Sequence, residues 1–437
     1  IHRTPVSERS KIPIEIIPME EYYLKQKESV EKIKKLGQEI TFHPTMHKQI
    51  LMNWLESINI DWPISRRRYY GTEIPIWYCK NCSEPYVPEP GKYYRPWNEK
   101  CPISNCTKCN STEFVGEERT FDTWMDSSIS PLFVSKFNVD NEFFNKVYPA
   151  AIRPQAKDIV RTWLYYTLLR CEQLTGKKPW SEAWIMGYGL DEKGMKMSKS
   201  KGNAIDPLPV IEKVGADTFR FWSASEINHG YDFRCNEQKI ESNKKFLSKL
   251  WNVSRFLSSF PVIESGTLTA SDKWVLSELD NLVKECKKGY DEYNFFIPAI
   301  AIREFTWNLF AAHYIEMVKA RAYGIGFSDE ERDGAIFTLH KTLSTILKLL
   351  APITPFITEH LWKILYSKES IHKQRQVEPE NIETQSDITK EITEFNSKVW
   401  NEKKSQSLSL KDSIKIEIPK ILEPFKKDLK SMHNLVD

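Results

Sequence analysis

The chain has 437 residues, which is enough for two to four domains with several hydrophobic cores. Its hydrophobic fraction of 41% and charged fraction of 28% are ordinary for a soluble globular protein. The formal net charge is only +3, so any nucleic-acid surface must be a local patch. No apolar run is long enough to cross a bilayer and no signal peptide is evident, so we expect a cytoplasmic protein.

The first sixty residues mix short β-like runs with helical patterns. Isoleucine at every second position of Ile12–Ile16 predicts a half-buried strand, which the proline within it places at a sheet edge. We expect helices over Glu20–Lys35 and His47–Ile58. His43 and His47 lack a nearby cysteine or acidic partner in the sequence, so we expect surface or capping roles for them.

An arginine-rich turn follows these elements. Three arginines stand beside two tyrosines in Arg66–Tyr70, just before Gly71 and an apolar run. Arginine next to aromatic rings can hold phosphates and stack bases. A surface turn that leads into a buried strand has the same composition, so the residues alone leave both interpretations open.

Two Cys-x-x-Cys knuckles are separated by an irregular, proline-containing loop. Four thiolates on two tight turns, Cys79, Cys82, Cys106 and Cys109, predict a structural tetrahedral zinc site with no open position. Cys101 could replace Cys106 as a ligand, because it lies just upstream of the second knuckle. Disulfides and inert thiols are the alternatives, and the unpaired cysteines elsewhere favour a reducing compartment.

Two later segments carry carboxylates that could line a site. Asp122 and Asp126 would share one face of a strand. They could form an acid–base pair, but we prefer a structural or substrate-positioning role. Residues 148–170 predict a strand end and a loop followed by a helix with one apolar face, and Asp158 could cap that helix.

A lysine- and serine-rich loop spans Gly194–Asn203, which reads GMKMSKSKGN. Lys196, Lys199 and Lys201 lie with two serines in six residues between two glycines. Mobile ammonium groups and hydroxyl donors suit a transferring phosphate, whose negative charge spreads over several oxygens. The loop lacks the GxxxxGK[ST] pattern of a Walker loop, and a solvated basic turn is the alternative interpretation.

After this loop the apolar periodicity is mainly helical. An amphipathic helix over Glu241–Phe256 carries Lys244, Lys245 and Lys249, which could face phosphates or form a solvated face. Four further helices with short connections predict a bundle, with helices over residues 272–286, 297–323, 334–351 and 356–366.

The first bundle helix should be capped by Ser271 or Asp272. A polar linker over residues 367–387 separates the bundle from the last part of the chain. That part predicts a helix, a strand and a final helix, over residues 391–403, 413–418 and 425–432.

Several stretches resemble the class I aminoacyl-tRNA synthetases. Lys196–Ser200 is identical to the KMSKS signature of that class, and its flanks are similar to the same enzymes. Residues 121–128, FDTWMDSS, resemble the archaeal-type valine enzymes of class Ia, whereas the isoleucine and leucine enzymes usually differ there. Residues 305–324 and 350–362 resemble the anticodon-binding bundle of the valine enzymes.

The resemblance implies an α/β part followed by an all-α part. The catalytic part would be the second half of a Rossmann-type domain that contains the zinc-knuckle insertion. The implied domains begin with a tail of the editing domain (1–36) and the catalytic half (37–225), which has an insertion at about 77–118. Stem-contact and linker helices (226–270) and an anticodon-binding helical bundle (271–370) follow. The last part is a linker with a small C-terminal α/β piece (371–437).

The implied reaction is ATP-dependent attachment of L-valine to tRNA(Val) through valyl-adenylate, with Mg²⁺ accompanying ATP. Lys196 and Lys199 would be the catalytic residues that stabilise the leaving pyrophosphate. Trp124 and Ile159 would line the amino-acid pocket, with Trp163 nearby. The ATP-binding residues would be Asp158, Lys196, Met197, Ser198, Lys199 and Ser200.

The chain departs from the family pattern in one respect. None of its nine histidines forms a His-x-Gly-His motif, which in the family belongs to the first half of the Rossmann fold and contacts the ATP phosphates. The chain does not open on methionine, and most of the editing domain is missing. We therefore expect a separate or longer N-terminal half as a partner. An isoleucine-specific fragment of the same class and a non-catalytic tRNA-binding module are the alternative functions.

Overall fold

A boundary at Ile185 divides the chain into two compact units, Ile1–Ile185 and Met186–Asp437. The computed structural model describes residues 4–7, 10–15, 17–198, 201–382 and 386–436. Across these ranges, no helix combines the length and the apolar character that crossing a membrane requires.

The first unit is an α/β structure with short strands and helices. A π-helical stretch, Val160–Leu164, leads directly into its longest helix. Its elements in chain order are β1 (Tyr23–Leu24), α1 (Val30–Gln38), β2 (Thr41–His43), α2 (Lys48–Ser57), β3 (Trp62–Pro63), β4 (Ser65–Arg66), β5 (Trp77–Cys79), β6 (Pro85–Tyr86), β7 (Phe114–Gly116), β8 (Thr120–Phe121), α3 (Thr123–Ser127), α4 (Ser130–Val134), α5 (Asn141–Val147), β9 (Ala150–Ala156), α6 (Tyr165–Thr175) and β10 (Trp180–Met186).

The central sheet of this unit has the strand order β2–β10–β9. Strands β2 and β10 run parallel, with Thr41 opposite Glu182 and His43 opposite Trp184. Parallel neighbours need a crossover connection, and helices α1, α2 and α6 bury their apolar faces in one core with this sheet. This arrangement is the α/β, Rossmann-type half that the sequence predicts.

The strand expected over Ile12–Ile16 does not form as predicted. Within the described residues it is reduced to one antiparallel bridge between Val6 and Pro13, and Ile16 itself lies outside them. Because a proline has no backbone N–H to donate, the ladder does not extend through this position.

The helix expected from Glu20 begins only at α1. The residues before α1 form β1, which pairs with β3, and the Gln26 N–H donates to Asp61 Oδ1 at 3.1 Å. Tertiary pairing therefore overrides the helical propensity of this charged stretch. The two histidines also differ from expectation, because His43 Nε2 lies 2.8 Å from a Glu182 oxygen and His47 is buried.

The cysteine-bearing insertion is a separate antiparallel sheet in the order β6–β5–β7. Strand β5 ends at Cys79, so the first knuckle is the turn that joins β5 to β6. The chain between β6 and β7 is irregular, as its prolines predict.

The second unit is mainly helical. A π-helical stretch, Phe305–Tyr314, joins two of its helices without a break. The strands and helices are β11 (Gly189–Leu190), α7 (Pro207–Val214), α8 (Ala216–Glu226), β12 (Phe233–Arg234), α9 (Glu237–Ser242), α10 (Lys244–Leu257), α11 (Ala270–Asp291), α12 (Phe296–Glu304), α13 (Ile315–Ala322), α14 (Asp329–Leu350), α15 (Pro355–Leu365), α16 (Ser386–Ser405) and α17 (Lys426–His433).

Helices α11 to α15 form the predicted bundle and share one large apolar core with α10, α16 and α17. Thr269 is the N-cap of α11, and Asp272 completes a capping box with it, so the expected cap at Ser271 or Asp272 is displaced. A second capping box, Ser328 with Glu331, begins α14. These boxes satisfy backbone N–H groups that would otherwise be unpaired at the helix starts.

A fully buried ion-pair network connects α11, α13 and α17. The Arg321 guanidinium binds both oxygens of Asp272 at 2.7 and 2.9 Å and both oxygens of Asp428 at 3.0 and 3.2 Å. The Tyr314 hydroxyl donates to Asp272 as well. Burial raises the pKa of Asp428, and Arg321 opposes that rise. The network therefore depends on one cation that is shared between two buried carboxyl groups.

The strand expected over Ser413–Ile418 is not formed within the described residues. Only one parallel bridge is present there, between Ile414 and Leu435. The bridge partner Leu435 directly follows Asn434, which ends α17 in a left-handed conformation with a φ of +50°. Few residues on the Leu435 side are therefore available to pair with the predicted strand.

Two histidines lie next to one asparagine in the core between α16, α17 and the π-helical stretch Phe305–Tyr314. Asn396 lies 3.0 Å from His313 Nδ1 and 2.8 Å from His433 Nε2. The buried Lys403 ammonium donates to the main-chain oxygens of Leu410 and His433. Burial, followed by the charges of Lys403 and His313, lowers the pKa of His433 to about 4. Burial also lowers the pKa of His313.

Acidification from pH 7 to pH 5 should therefore destabilise the second unit. The unfolded chain protonates His433 near pH 6.5, whereas the folded chain keeps it neutral down to about pH 4. Stability is lost as the pH falls through this window, by about 2 kcal/mol at pH 5 from His433 alone. Urea unfolding followed by circular dichroism measures the loss. His433→Gln should reduce this pH dependence and the exposed His372→Gln should not; equal pH dependence in all three proteins would contradict the assignment.

Candidate active-site loop and metal centre

The lysine-rich loop begins with a hairpin. Strand β11 pairs in parallel with β12, and Leu190 then forms an antiparallel bridge with Lys196. Two further main-chain hydrogen bonds, of 2.8 and 3.0 Å, close the hairpin on either side of this bridge. Gly194 turns the chain with a φ of +81°, a conformation that glycine adopts without strain. The hairpin thus gives the first signature lysine a defined backbone position.

A carboxylate and an amide tie the two ends of the loop together, and we call this pair the Asp191–Asn203 clamp. Asp191 Oδ1 accepts from the N–H groups of Lys193 and Met195, and its Oδ2 accepts from Asn203 Nδ2 at 2.8 Å. Asn203 Oδ1 accepts from the Ser198 N–H at 2.9 Å. The Asn203 hydrogen bond, followed by that from Met195, lowers the pKa of Asp191, so the clamp contains a carboxylate anion at neutral pH.

Lys196 and Met197, the first two residues of the KMSKS string, have different environments. Met197 packs against a small apolar core with Phe233, and a Cβ on Gly189 would lie only 2.6 Å from its terminal methyl group. The Lys196 ammonium lies 4.2 Å from the centroid of the Tyr188 ring. The predicted residues Lys199 and Ser200 lie outside the described part of the chain.

The predicted pocket residue Trp124 lies on α3 of the first unit and is half-buried. Helix α3 replaces the strand expected for this segment. Asp122 is its N-cap, accepts from the Trp124 N–H at 2.8 Å and is ion-paired with Arg66. Burial raises the pKa of Asp126. The cap and the ion pair fix Asp122 at the start of α3.

A helical turn after β9 holds two further predicted residues, Asp158, which is exposed, and Ile159, which is half-buried. Trp163 follows on the π-helical stretch Val160–Leu164, and its Nε1 donates to the Ser127 carbonyl of α3 at 3.0 Å. The Arg153 guanidinium carbon lies 3.6 Å from the centroid of the Trp163 ring. The structure therefore joins Trp163 to the helix that carries Trp124, whereas the lysine-rich loop belongs to the second unit.

Some residues of the arginine-rich turn form ion pairs within the unit, and others are exposed to solvent. Arg66 is committed to Asp122, and Arg67 Nε pairs with Glu21 at 3.1 Å. Tyr69 and Tyr70 are fully exposed. The first two arginines therefore hold the turn in place, and the exposed residues that a ligand could contact are Arg68, Tyr69 and Tyr70.

The candidate metal centre consists of the four predicted cysteines. The sulfurs of Cys79, Cys82, Cys106 and Cys109 all lie within 4.8 Å of one another, with separations of 3.5 Å for Cys79–Cys109 and 3.6 Å for Cys82–Cys106. Tetrahedral zinc with Zn–S bonds of 2.3 Å separates its sulfurs by about 3.8 Å, so the cluster has the size that zinc requires. Cys101 is not part of this group.

Both knuckles have the same backbone form. The residue after each second cysteine, Ser83 or Asn110, is left-handed with a φ near +60°, and its N–H donates at 2.9 Å to the carbonyl of the first cysteine. Hydrogen bonds from Asn81 and Ser111 lower the pKa of Cys109 to about 6. A lowered pKa favours the thiolate form, which is the form of cysteine that binds a metal.

Two of these features were not predicted from the sequence, one because it has no local signal and the other because its signal is weak. The Arg66–Asp122 pair joins positions far apart in the chain, and no local signal precedes it. The clamp had a weak signal, because Asp191 stands three residues before Gly194, a spacing typical of turns in which aspartate caps the following N–H groups.

Family comparisons match both units. Residues 14–235, just over half of the chain, match the family described as tRNA synthetases class I (I, L, M and V). Residues 272–418 match the anticodon-binding domain of tRNA ligase.

Curated relatives from archaea align with nearly the whole chain. A valine–tRNA ligase of Aeropyrum pernix is 42% identical over 99% of this chain and 54% of its own length. The corresponding protein of Nanoarchaeum equitans is 43% identical over 99% of this chain and 57% of its own length. That of Pyrobaculum aerophilum is 42% identical, with coverages of 100% and 56%. The chain spans about half the length of the curated relatives it matches.

Solved structures share the fold at low identity. A methionyl-tRNA synthetase of Mycobacterium tuberculosis gives a TM-score of 0.62 at 18% identity, over 83% of this chain and 66% of that one. A LeuRS of Agrobacterium radiobacter gives a TM-score of 0.57 at 20% identity, over 76% and 45%. With the match over residues 14–235 and relatives at least 42% identical along the chain, this protein belongs to the class I tRNA synthetase family (I, L, M and V).

Proposed function

We propose that this chain supplies the KMSKS-containing half of an enzyme that attaches L-valine to tRNA(Val), with valyl-adenylate as the intermediate. One observation carries the proposal: relatives named valine–tRNA ligase align with 99% or more of the chain at 42–43% identity. The FDTWMDSS segment at residues 121–128 favours valine over isoleucine and leucine within the class.

Lys196 and Lys199 meet the negative charge that develops on the pyrophosphate leaving from Mg²⁺-bound ATP. The clamp and the hairpin support this role, because they hold the backbone of Lys196 before any substrate arrives. The remaining ATP contacts come from Asp158, on the ribose, and from Met197, Ser198 and Ser200.

The amino-acid pocket is formed by apolar surface. Trp124 and Ile159 contact the valine side chain, and Trp163 supports the pocket through its hydrogen bond to α3. Burial of Trp124 against the core of the first unit supports this assignment, since a fixed ring gives the pocket a defined shape.

Zinc is the metal that we assign to Cys79, Cys82, Cys106 and Cys109, since four thiolates at tetrahedral spacing suit a closed structural site. Its role is to hold the insertion together rather than to take part in the reaction.

The location is cytoplasmic, where ATP and tRNA are available. The proposed domains are the tail of the editing domain (1–36), the catalytic half (37–225), the stem-contact and linker helices (226–270), the anticodon-binding bundle (271–370) and the linker with the C-terminal piece (371–437). The proposed partners are tRNA(Val), L-valine, ATP and an N-terminal half with the His-x-Gly-His motif and editing domain.

A chimeric enzyme tests the function. The N-terminal portion of the Aeropyrum pernix relative that this chain does not match is fused ahead of the chain. Valine should then support ATP–pyrophosphate exchange and charging of tRNA(Val), and the chain alone should support neither. Stronger exchange with isoleucine would assign isoleucine specificity. Binding of tRNA by a folded chimera without exchange would favour the non-catalytic module.

Lys199→Ala in this chimera should reduce the rate of valine-dependent exchange by about 10²–10³, because it removes a preorganised donor from the transition state. Lys213→Ala, a lysine of α7 that pairs with Glu241 on the surface, is the matched control and should leave the rate unchanged. Exchange at the wild-type rate in the Lys199 variant would show that this lysine does not stabilise the pyrophosphate.

A further inference from the structure

We infer that Asp217 and Arg220 of α8 are positioning residues for the lysine-rich loop, an inference that rests on the proposed function. Helix α8 follows the loop by way of α7 and lies between two hydrophobic cores of the second unit. One is the large core of the bundle. The other, which we call the loop core, is formed by Met197, Ile205, Val210, Val214, Phe219, Trp222, Phe233, Cys235 and Ile240.

Both ends of the lysine-rich loop are attached to the loop core. Met197 packs into it from the KMSKS string, and Ile205 packs into it two residues after Asn203. Asp206 then caps α7 by accepting from the Leu208 N–H at 3.0 Å. The backbone position of the loop therefore depends on the position of the loop core.

Helix α8 supplies two aromatic residues of the loop core, Phe219 and Trp222, which lie three positions apart on one helix face. Their ring centroids are 5.4 Å apart, and the Trp222 ring contacts the Phe233 ring edge-on at 6.1 Å. Phe233 lies on β12, the strand that pairs with β11 at the start of the loop hairpin. Because protein interiors are close-packed, a movement of α8 would reach the hairpin through these rings.

The opposite side of α8 faces the bundle. Positions 217, 220, 221 and 224 follow the i, i+3, i+4 and i+7 pattern of a single helix face. Phe221 stacks on Phe246 of α10 with ring centroids 4.6 Å apart, and Ala224 packs against the same core. Apolar contacts of this kind are non-directional, so they hold α8 against the bundle without fixing its position along it.

Asp217 caps a helix of the bundle from outside that helix. Its side chain is buried, and its two carboxylate oxygens accept from the N–H groups of Phe356 and Ile357 at 3.4 and 2.6 Å. These N–H groups lie in the first turn of α15, whose N-cap Thr354 makes no side-chain cap hydrogen bond. A carboxylate at a helix N-terminus also has the charge that the helix dipole favours. Asp217 therefore performs the N-cap role for α15 from a neighbouring helix.

Arg220 binds the end of the preceding bundle helix. Its Nε and Nη2 donate to the carbonyls of Ile353 and Pro352 at 2.9 and 3.1 Å, just past the end of α14. A cation near a helix C-terminus is favoured by the helix dipole as well. We call Asp217 and Arg220 the double cap, because they bind the α14–α15 junction on both sides. Hydrogen bonds are directional, so the double cap fixes α8, and with it the loop core, relative to the bundle.

The reaction depends on this position. The hairpin gives Lys196 its backbone position, and a misplacement of about 1 Å in a reacting geometry can cost about 10² in rate. The hydrogen bonds of the double cap go to the α14–α15 junction and not to the loop. An effect of the double cap on the loop must therefore pass through α8 and the loop core.

Hydrogen exchange in the full chain tests the anchoring without any ATP chemistry. In Asp217→Ala, the amides of Asp191, Met197 and Cys235 should exchange at least about fivefold faster than in wild type, because local opening of the hairpin no longer has to displace a fixed α8. These amides donate to main-chain carbonyls of the hairpin and of its junction with β12, so they report its opening directly.

The matched control is Ser328→Ala. Ser328 is the N-cap of α14, so the substitution removes a helix cap in the same unit, but at the end of α14 that lies away from the double cap. The three hairpin amides should exchange at the wild-type rate in this variant. An equal increase in both variants would assign the effect to general destabilisation of the unit, and no increase in Asp217→Ala would show that the double cap does not anchor the hairpin.

Steady-state kinetics of the chimeric enzyme test the effect on the reaction. Asp217→Ala should raise KM for ATP in valine-dependent pyrophosphate exchange by about fivefold to tenfold, because a displaced loop weakens every contact that it makes with ATP. KM for valine should stay unchanged, since Trp124 belongs to the first unit. A merely structural loss would reduce the fraction of active enzyme, which lowers the apparent kcat and leaves both KM values unchanged.

Arg220 gives a second test that does not disturb a buried group. Arg220 is exposed, so Arg220→Met should fold and should raise KM for ATP in the same direction. Arg220→Lys keeps a cation that can donate to one of the two carbonyls, and it should recover part of the wild-type value. A wild-type KM for ATP in both Asp217→Ala and Arg220→Met would overturn the inference.

The outcomes separate the inference from the proposed function. If the wild-type chimera exchanges pyrophosphate and the double-cap variants keep its KM for ATP, the inference fails and the proposed function is unaffected. If the wild-type chimera shows no exchange, the proposed function fails, and the kinetic role of the double cap fails with it. The hydrogen-exchange comparison then still decides whether the double cap anchors the hairpin.

Discussion

Replacing Cys109 with serine is expected to release the metal of the four-cysteine cluster and to unfold the insertion around it. Structural zinc contributes about 10–16 kcal/mol of apparent binding free energy in small zinc domains, and that energy is folding energy. The sheet β6–β5–β7 is small and its connecting chain is irregular, so it has little else to hold it. Elemental analysis should find close to one zinc per wild-type chain and almost none in the variant.

Trypsin gives a second measurement of the same change. Lys92, Arg95 and Lys100 lie in the irregular chain between the knuckles and should be cleaved faster once the metal is lost. Cys101→Ser is the matched control, because this cysteine lies outside the cluster, and it should keep both metal and protease resistance. Wild-type protein that folds reduced, without chelator and without zinc, would refute the site, and an iron-type visible absorption would refute the choice of metal.

Arg321→Met is expected to destabilise the second unit by about 3–5 kcal/mol at pH 7, because it leaves the buried carboxylates of Asp272 and Asp428 without a cation. Urea unfolding monitored by circular dichroism should show a lower midpoint. Lower pH should reduce the loss. A buried carboxyl group without its cation has a raised pKa, so protonation neutralises it before the unfolded chain takes up the same proton.

Arg332→Met is the matched control for this change. Arg332 also contacts two carboxylates, those of Asp329 at 2.7 Å and Asp333 at 3.0 Å, but on the exposed surface of α14. Surface pairs of this kind contribute about 0–1 kcal/mol. If both substitutions lowered stability equally, burial of the Arg321 network would not be the source of its contribution.

The fold was predictable wherever local pattern and global structure agree. The bundle helices follow from apolar periodicity, and the metal cluster follows from two cysteine spacings that each form a turn by themselves. The strands over Ile12–Ile16 and Ser413–Ile418 were wrong, because alternating isoleucines describe one strand and say nothing about a partner to pair with.

The candidate site was less accessible from sequence for a related reason. The signature lysines are recognisable as a string, but the clamp that supports them consists of a common aspartate and a common asparagine. Asp122 was expected to have a structural or substrate-positioning role on a strand. It is instead the N-cap of a helix, and its ion pair with Arg66 depends on a tertiary contact that the local sequence does not show. The residues that touch the substrates stay predictions.

The Asp191–Asn203 clamp closes the signature segment into a ring of residues whose ends are joined by a side-chain hydrogen bond of 2.8 Å. The entropy lost when the two ends of such a ring are brought together grows only with the logarithm of its length. Residues inserted before the aspartate or after the asparagine would lie outside the ring and leave that entropy unchanged. We therefore expect a longer connection to α7 to be tolerated without loosening the clamp, whereas an insertion inside the ring should add to the entropic cost of closing it.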